Sequence, residues 1–513
     1  MAYGTGSIAS EYSKCETQRS PYLERGREAS RITVPTIMPD DGHSASRKFP
    51  TPYQSTGARG VNNLASALLL SLLPPNAPFF RLVIDEEEKR KMDQLDPSIL
   101  TEVEKSLAEI ERSVAREIEL NSIRVGTFEA LRHLVVTGNA LLYLPDKGPM
   151  RVIHLDRYVI KRDPMGNARM IILKETVSPE MLPEDLKKYA QHKSGDPSQT
   201  CDIYTAQTMK EDGKVEVVQE IYGNIIEETR ATYSKDQSPF IALRMLRVDG
   251  ESYGRGYVEQ YLGDLVSLEG LTKAIVEGAA ASSKVLFLVN PNGTTRAKTL
   301  AESPNGAIRE GSAADVSVLQ TQKAQDFSVS LSAMQQIGER LSYAFLLTES
   351  TIRNADRVTA EEVRLVTQSI ERQLGGIYSV LSQEFQLPLV NRIMQRMEKQ
   401  KKLPKIPKDK VTPAIVTGIE ALGRGNDLNR LDIYLQGIAQ MLGPEGLSQY
   451  VNMSEYMSRR ASALGIDTDG LIRSEEEVAG MMQQQQQAEA MKVATQSLGP
   501  NAVNAMAQQA QME

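Results

Sequence analysis

The chain contains no tryptophan, and aromatic residues make up only 5% of it. Its cores must therefore come from Leu, Ile, Val, Met and Ala, which suits helix packing better than an aromatic-rich sandwich. Cysteine is nearly absent. Cys15 and Cys201 are the two in 513 residues, which excludes a disulfide framework and a C-x-x-C motif and points to a reducing compartment. Long apolar runs are missing too. The longest, Leu64 to Leu73, stops at Pro74-Pro75, about half of the roughly 20 residues a membrane span needs. Met1 to Ser20 is polar and lacks the apolar centre of a signal peptide. No membrane contact is expected. Nor is there an excess of positive charge: 59 Lys and Arg stand against 66 Asp and Glu, a net charge of -7. A high-affinity nucleic-acid binder normally carries a basic footprint. An acidic wall, by contrast, lets DNA pass without sticking.

Motifs for chemistry are equally scarce. No phosphate-binding G-x-x-x-x-G-K-[ST] is present, and Gly213-Lys214 reads as part of a hairpin. His43, His133, His154 and His192 occur singly in the sequence, without metal-ligand spacing. His133 falls in an apolar helix and His154 in a strand, so both read as structural. Glu86-Glu87-Glu88 and Glu475-Glu476-Glu477 read as solvated charge runs. Gly250-Glu251-Ser252-Tyr253-Gly254-Arg255-Gly256 has spaced glycines but no preceding βαβ unit. It reads as a turn entering a helix, and no G-x-S-x-G elbow of a hydrolase is read in the chain. The expectation is a non-enzymatic structural protein with no catalytic residues, no cofactor and no metal.

What is present is helical order around a β-rich insert. Helices are expected near Ser7 to Ser30, Val61 to Leu73, Asp96 to Ser122 and Gly126 to Thr137, the last closed by Gly138. A short strand is expected at Phe79 to Ile84. From Ala140 to Leu246 the period shortens. Ala140–Leu144, Val152–Leu155, Tyr158–Arg162, Ala168–Glu175, Asp202–Thr208, Val215–Tyr222, Asn224–Arg230 and Phe240–Leu246 read as antiparallel strands, with Asp212-Gly213 and Gly223-Asn224 as hairpin turns. A helical piece from Pro179 to Gln191 interrupts them. Tyr257 to Ser283 and Phe327 to Leu347 read as two helices flanking a small polar module with strands at Val285–Val289 and Val316–Gln320. The two helices should lie side by side with the module at their tip.

The most informative segment follows. Thr359-Ala360-Glu361-Glu362 fits a capping box. Apolar residues then recur at Val363, Val366, Ile370, Leu374, Ile377, Leu381, Phe385, Leu389, Ile393 and Met397, one helical stripe. At about 1.5 Å per residue the stretch from Thr359 to Lys401 would run roughly 65 Å. Gly375, Gly376 and Pro388 are its weak points, where it can bend. The polar segment 348–358 before it fits either an ordinary connection or a mobile loop. Pro404, Pro407 and Pro413 break the chain, a smaller helical unit follows from Pro413 to Ile472, and the tail from Glu475 holds five consecutive glutamines at 483–487. That tail is a frayed helix or disorder.

Four ordered blocks resemble the portal proteins, or head-to-tail connectors, of short-tailed bacteriophages: Ala58 to Ser66, Asp249 to Leu265, Arg357 to Arg364 and Leu374 to Glu384. The resemblance implies an α+β, mainly helical portal fold forming a dodecameric ring with a central channel at a unique capsid vertex of the virion. It maps a wing onto 1–256, stem helices onto 257–283 and 328–347, a clip onto 284–327, a tunnel loop onto 348–358, a long wing helix onto 359–403 and a crown onto 404–474, with 475–513 as tail. It implies double-stranded DNA passing through at packaging and ejection. The implied partners are the terminase large subunit, which hydrolyses ATP in the portal's stead, a tail adaptor, and scaffolding, capsid and internal core proteins. Assembly is expected in the host cytoplasm, with 12 copies or with 13 when overproduced. A tail adaptor or internal core protein is the alternative. Twelve copies at -7 carry about -84, so attraction to DNA must be local. Arg340, Arg353, Arg357 and Arg364 are the candidate DNA-channel residues, and the alternative for the last three is pairing with Asp356, Glu361 and Glu362. Arg296, Lys298, Arg309 and Glu310 are the candidate clip docking charges.

Overall fold

A computed structural model describes residues 7–44, 46–75, 79–95, 97–190, 200–282, 286–319, 324–347, 374–407 and 410–415, with 432–441, 443, 451, 456–457 and 460 further on. The chain divides into two compact units, 1–418 and 419–513. The capping box at Thr359, the segment 348–358, Arg353, Arg357, Arg364 and the glutamine tail lie outside the described residues.

The first unit opens with α1 (Ile8–Arg31), α2 (Thr56–Leu72), β1 (Phe80–Ile84), α3 (Glu86–Leu95), α4 (Pro97–Leu120) and α5 (Ile123–Thr137). α2 is apolar on most of its surface because it is enclosed. Val61, Leu64, Leu68 and Leu72 are completely buried, and each such side chain contributes roughly 1.5–3 kcal/mol on burial. α2 packs on α5. α5 ends where expected: Gly138 adopts φ 77° and donates its N–H to Leu134 O at 2.9 Å. An added Cβ at Gly138 would stand 2.2 Å from the Arg255 carbonyl carbon. Gly254 and Gly256 reciprocate, their Cβ positions lying 2.6 Å from Gly138 O and 2.4 Å from Val136 O. The spaced glycines before Tyr257 are thus a place where two backbones touch.

The β-rich insert forms two sheets. One has the order β3-β2-β9, from Arg151–Ile153, Asn139–Tyr143 and Phe240–Arg244. The other runs β4-β5-β6-β7-β8, from Tyr158–Arg162, Ala168–Val177, Cys201–Met209, Lys214–Ile221 and Asn224–Ser234, all antiparallel. The expected helical piece is a 3₁₀ turn, Pro179–Met181, followed by α6 (Glu184–Ala190). α1 lies against the larger sheet. Its first N–H groups, at Ile8 and Ala9, donate to the carboxylate of Glu220 on β7, and Glu220 is completely buried. A carboxylate at a helix N-terminus satisfies donors that have no partner inside the helix. Glu220→Gln is expected to cost about 1 kcal/mol, read as a lower urea midpoint with unchanged slope. Cys15 and Cys201 are free and buried.

Two further helices, α7 (Tyr257–Gln260) and α8 (Leu262–Ser282), replace the single one expected, with the break at Tyr261. β10 (Leu286–Val289), α9 (Ala297–Ala301) and β11 (Val316–Leu319) form the small module, and α10 (Ala324–Ala344) returns. α11 covers residues 374–381, and α12 is Leu387–Lys399.

The reading fails after Pro404. We expected helix from Pro413, yet Val411–Ile415 is a strand, β12, antiparallel to β1, with Pro413 opposite Leu82. A two-stranded ribbon consists of edges, where proline's missing N–H is tolerated. These residues belong to the first unit. In the second, 432–441 is helical and Arg460 pairs with Asp432 at 3.4 Å.

Candidate channel, docking and hinge residues

α8 and α10 pack side by side in antiparallel register. Arg340 Nη2 donates to Asp264 Oδ1 at 2.8 Å near one end, and Thr272 contacts Met334 further along. Arg340 is therefore already paired, across these two helices, while its side chain keeps 62% of its exposure. The apolar side chains of this pair do not all turn inward: Val266, Val276, Val329, Leu331 and Tyr343 are exposed.

The end of α10 is held firmly. Asn63 Nδ2 donates to the carbonyls of Phe345 and Leu346, each at 3.0 Å, and Tyr257 Oη donates to Ala344 O at 2.9 Å. Gly60 permits the approach, since its Cβ would lie 2.6 Å from the Phe345 ring. Leu346 sits at φ 57°, a left-handed conformation that a branched side chain rarely adopts. So the two blocks Ala58–Ser66 and Asp249–Leu265 meet at one junction, immediately before segment 348–358.

In the small module, Arg296, Lys298, Arg309 and Glu310 are all exposed. Among the described residues none of the four has an ion-pair partner. Arg309 donates only to Ser303 Oγ, at 3.1 Å. Asp315 organises the loop between the strands by accepting from Thr294 Oγ1 and Thr295 N, at 3.1 and 3.0 Å. Those donors hold its carboxyl below the usual range, the Thr295 N–H contributing most. Phe287, Leu288, Leu300 and Ile308 are exposed large hydrophobics here, Ile308 at 98%.

The hinge candidates separate. The helix is regular α through Gly375 and Gly376, and a Cβ at either would meet nothing within 4 Å. The irregular turn is instead a π segment at Ser382–Gln386, directly before Pro388. Pro388 cannot donate to the residue four before it, and its ring crowds that carbonyl; a wider turn relieves the clash. Ser382 Oγ and Gln386 Oε1 are buried here without hydrogen-bond partners among the described residues, and each such group costs about 1–3 kcal/mol. The segment is pinned by the ion pair between Glu384 and Arg244, whose side chains are 17% and 4% exposed. Gly376→Ala is expected to raise helix stability by about 1 kcal/mol, measurable as slower amide exchange over 374–381. No gain would mean that the glycine fits a need outside the described contacts.

Two sequence readings need correction. The histidines do not all stand alone. His133 on α5 and His154, which follows β3 and lies outside it, meet edge to face at 4.4 Å. With Glu129 they place donor atoms within 4.8 Å of one another, and this is the group among the described residues that could hold a metal ion. Glu129 and His133 are one helical turn apart, a spacing visible in the sequence. His154 comes from a sheet pairing that is not. Burial, aided by the charges of His154 and Arg132, pushes His133 down to about 3. Second, Gly250 to Gly254 does carry G-x-S-x-G spacing. Ser252 Oγ accepts from Arg162 N at 3.4 Å, and no histidine bonds it among the described residues, so the base that such an elbow requires is missing.

Within the first unit, the helix pair α8 and α10 leads to a small two-stranded module and adjoins an α+β body. Comparison with known proteins agrees. The family model for the bacteriophage head to tail connecting protein matches residues 5–472. The portal protein of Escherichia phage T7 is 41% identical over 484 residues, 93% of this chain and 90% of that protein. The portal protein of Enterobacteria phage T3 is 39% identical over 491 residues, 94% and 91% of the two chains, and that of Pseudomonas phage phiKMV is 30% identical, covering 92% and 93%. The chain belongs to the bacteriophage head-to-tail connecting family, the portal proteins of short-tailed phages. No helix among the described residues is long and apolar enough to cross a membrane.

Proposed function

We propose that this chain forms a closed ring at one capsid vertex, through which viral DNA enters at packaging and leaves at ejection. The observation that carries the reading is the exposed apolar surface of α8, α10 and the small module. Val266, Val276, Val329, Leu331, Phe287 and Ile308 face water in the single chain, and so many large apolar side chains exposed on one helix pair and its module fit burial against neighbouring copies. An elongated helix pair has two sides. Side-to-side contact between copies is heterologous, and such contact closes into a ring when the rotation permits. α8 and α10 are then the stem, 284–327 the clip and 1–256 with the long helix the wing; 404–474 is the crown, less β12, which pairs with β1. The ring is not itself an enzyme in this reading. The terminase motor and later the tail adaptor dock on the clip, and scaffolding, capsid and core proteins contact the outside.

Reversing the charges of Arg296, Lys298, Arg309 and Glu310 together is expected to abolish motor attachment while rings still form, measured by co-sedimentation of purified rings with the terminase large subunit. Loss of the rings themselves would make the module an assembly element only. Segment 348–358, with Arg353, Arg357 and Arg364, is the proposed gate. Neutralising the three arginines is expected to leave ring assembly intact and to reduce the DNA retained per particle after packaging, the difference shrinking at high salt because screening weakens phosphate contacts. Equal retention would assign these arginines to pairing with Asp356, Glu361 and Glu362.

A further inference from the structure

Behind the π segment, between it and the two sheets, lies a cavity of about 290 Å³ with an unbalanced charge. Arg162, Lys235, Arg244 and Arg247 line it, against two carboxylates, Asp236 and Glu384. Glu384 is already committed to Arg244. Arg162 has no carboxylate: its three nitrogens donate to the backbone carbonyls of Ser252, Gly166 and Ala242 at 3.1, 2.9 and 3.0 Å. Those acceptors satisfy its geometry and leave its charge uncancelled. Burial pushes Arg162 down to about 10, with Arg244 and Arg247 acting in the same direction and Glu384 opposing them. Arg247 is exposed at the rim and has no hydrogen-bond or ion-pair partner among the described residues. Lys235 is held only by a neutral acceptor, Asn167 Oδ1, at 2.9 Å.

The cations converge rather than merely coexist. The point where a Cβ on Gly166 would sit is 2.9 Å from Arg247 Nη2 and 3.2 Å from Arg244 Nη2. Two guanidinium ends therefore border one small volume, which Gly166, at φ 87°, keeps free of side chain. Guanidinium forks bind oxygen pairs. A planar carboxylate offers one such edge, whereas a tetrahedral oxyanion offers edges in several directions and can engage two forks at once.

We propose that this cavity is a binding site for a free tetrahedral oxyanion of the size of inorganic phosphate, held by Arg247 and Arg244 with Arg162 and Lys235 supplying field. The site requires neither the ring nor the channel. It lies against the one distorted turn of the described long helix, through Gln383, Glu384 and Pro388, so its occupancy adds a tie between that turn and the β-rich insert.

The test is equilibrium dialysis of the full-length protein against radiolabelled inorganic phosphate, with ionic strength held constant by sodium chloride. One saturable site per chain is expected. Arg247→Gln, an exposed substitution that leaves the Arg244–Glu384 pair in place, is expected to weaken binding about tenfold or more, the scale set by losing a charged hydrogen bond. Arg247→Lys is expected to recover only part of it, because an ammonium keeps the charge and loses the fork. Absence of a saturable site, or equal binding by Arg247→Gln, overturns the proposal. A short DNA duplex is included as competitor. If it displaces the labelled phosphate, the occupant is a nucleic-acid backbone and the free-anion assignment is wrong; if phosphate stays bound, the assignment stands.

Discussion

Arg392→Met is expected to destabilise the first unit by about 3 kcal/mol or more, because each buried acceptor that loses its donor costs about 1–3 kcal/mol. Arg392 lies on α12 with its side chain fully buried. Its Nε donates to Leu144 O at 2.9 Å, Nη1 to Gln395 Oε1 at 2.6 Å and Gln237 O at 3.3 Å, and Nη2 to Asp146 Oδ1 at 2.8 Å. The guanidinium also lies over the Tyr233 ring, 5.2 Å from its centre. Methionine preserves much of the stem and removes the donor to Leu144 O, Gln237 O and Gln395 Oε1, while Asp146 keeps Lys399. The helix is thereby uncoupled from the β-rich insert, so urea unfolding should show a lower midpoint together with early loss of protection over 387–399. Lys399 donates to the same carboxylate, at 2.9 Å. Burial raises the Asp146 carboxyl, but Lys399 and Arg392 outweigh it and hold the group below its ordinary value. A depressed folded pKa contributes stability that is complete above the unfolded value and disappears as pH falls through the folded one. The wild type should therefore lose stability on acidification below about 4, and Asp146→Asn should flatten that loss. An unchanged acid profile in Asp146→Asn would place the sensitivity elsewhere.

Gly138→Ala is expected to be nearly as damaging, by two additive routes. The left-handed backbone costs an L-residue about 1–2 kcal/mol, and overpacking typically adds 1–3 kcal/mol. The obstruction is backbone, the Arg255 carbonyl at 2.2 and 2.5 Å, and backbone cannot rotate away as a side-chain tip can. The contact joins α5 to the turn that launches Tyr257 and α8. Misfolding should therefore spread into the helix pair, and soluble protein should form fewer assemblies at equal concentration. Gly375→Ala is the matched control, since that position is right-handed and open. If Gly138→Ala behaved like Gly375→Ala, the close approach of 136–138 to 254–256 would be refuted.

The helices and strands were legible where the pattern is local. α2, α5, α8, α10 and the hairpin strands all declare themselves by period and by turn residues, and Gly138 by its place at a helix end. Failures share a cause: pairing over long separation. β12 meets β1 across more than three hundred residues, so nothing near Pro413 betrays a strand. Glu220, Arg244 and Arg392 look like surface charges in their own segments and are buried only because a distant element covers them. Arg392 carried one faint signal, being next to the stripe residue Ile393 and so on the flank of the apolar face. The π segment was half legible. Pro388 announced a disturbed helix, but the position and kind of disturbance depend on the carbonyl of Glu384 and on what Arg244 does with its side chain. Of the proposed site residues, Arg340 is paired with Asp264, which a single-chain pattern does not reveal; the exposure of Arg296, Lys298, Arg309 and Glu310 was legible because a small polar module has no core to hide them in, and their docking role is a proposal.

The most direct test is the mass and symmetry of the purified full-length protein. Mass measurement at micromolar concentration, with class averages from negative-stain images, is expected to give a closed ring with an axial hole and a mass near 680 kDa for twelve chains of 56.7 kDa, or one chain more when overproduced. A species that remains monomeric at that concentration, or an assembly with no axial opening, would contradict the account.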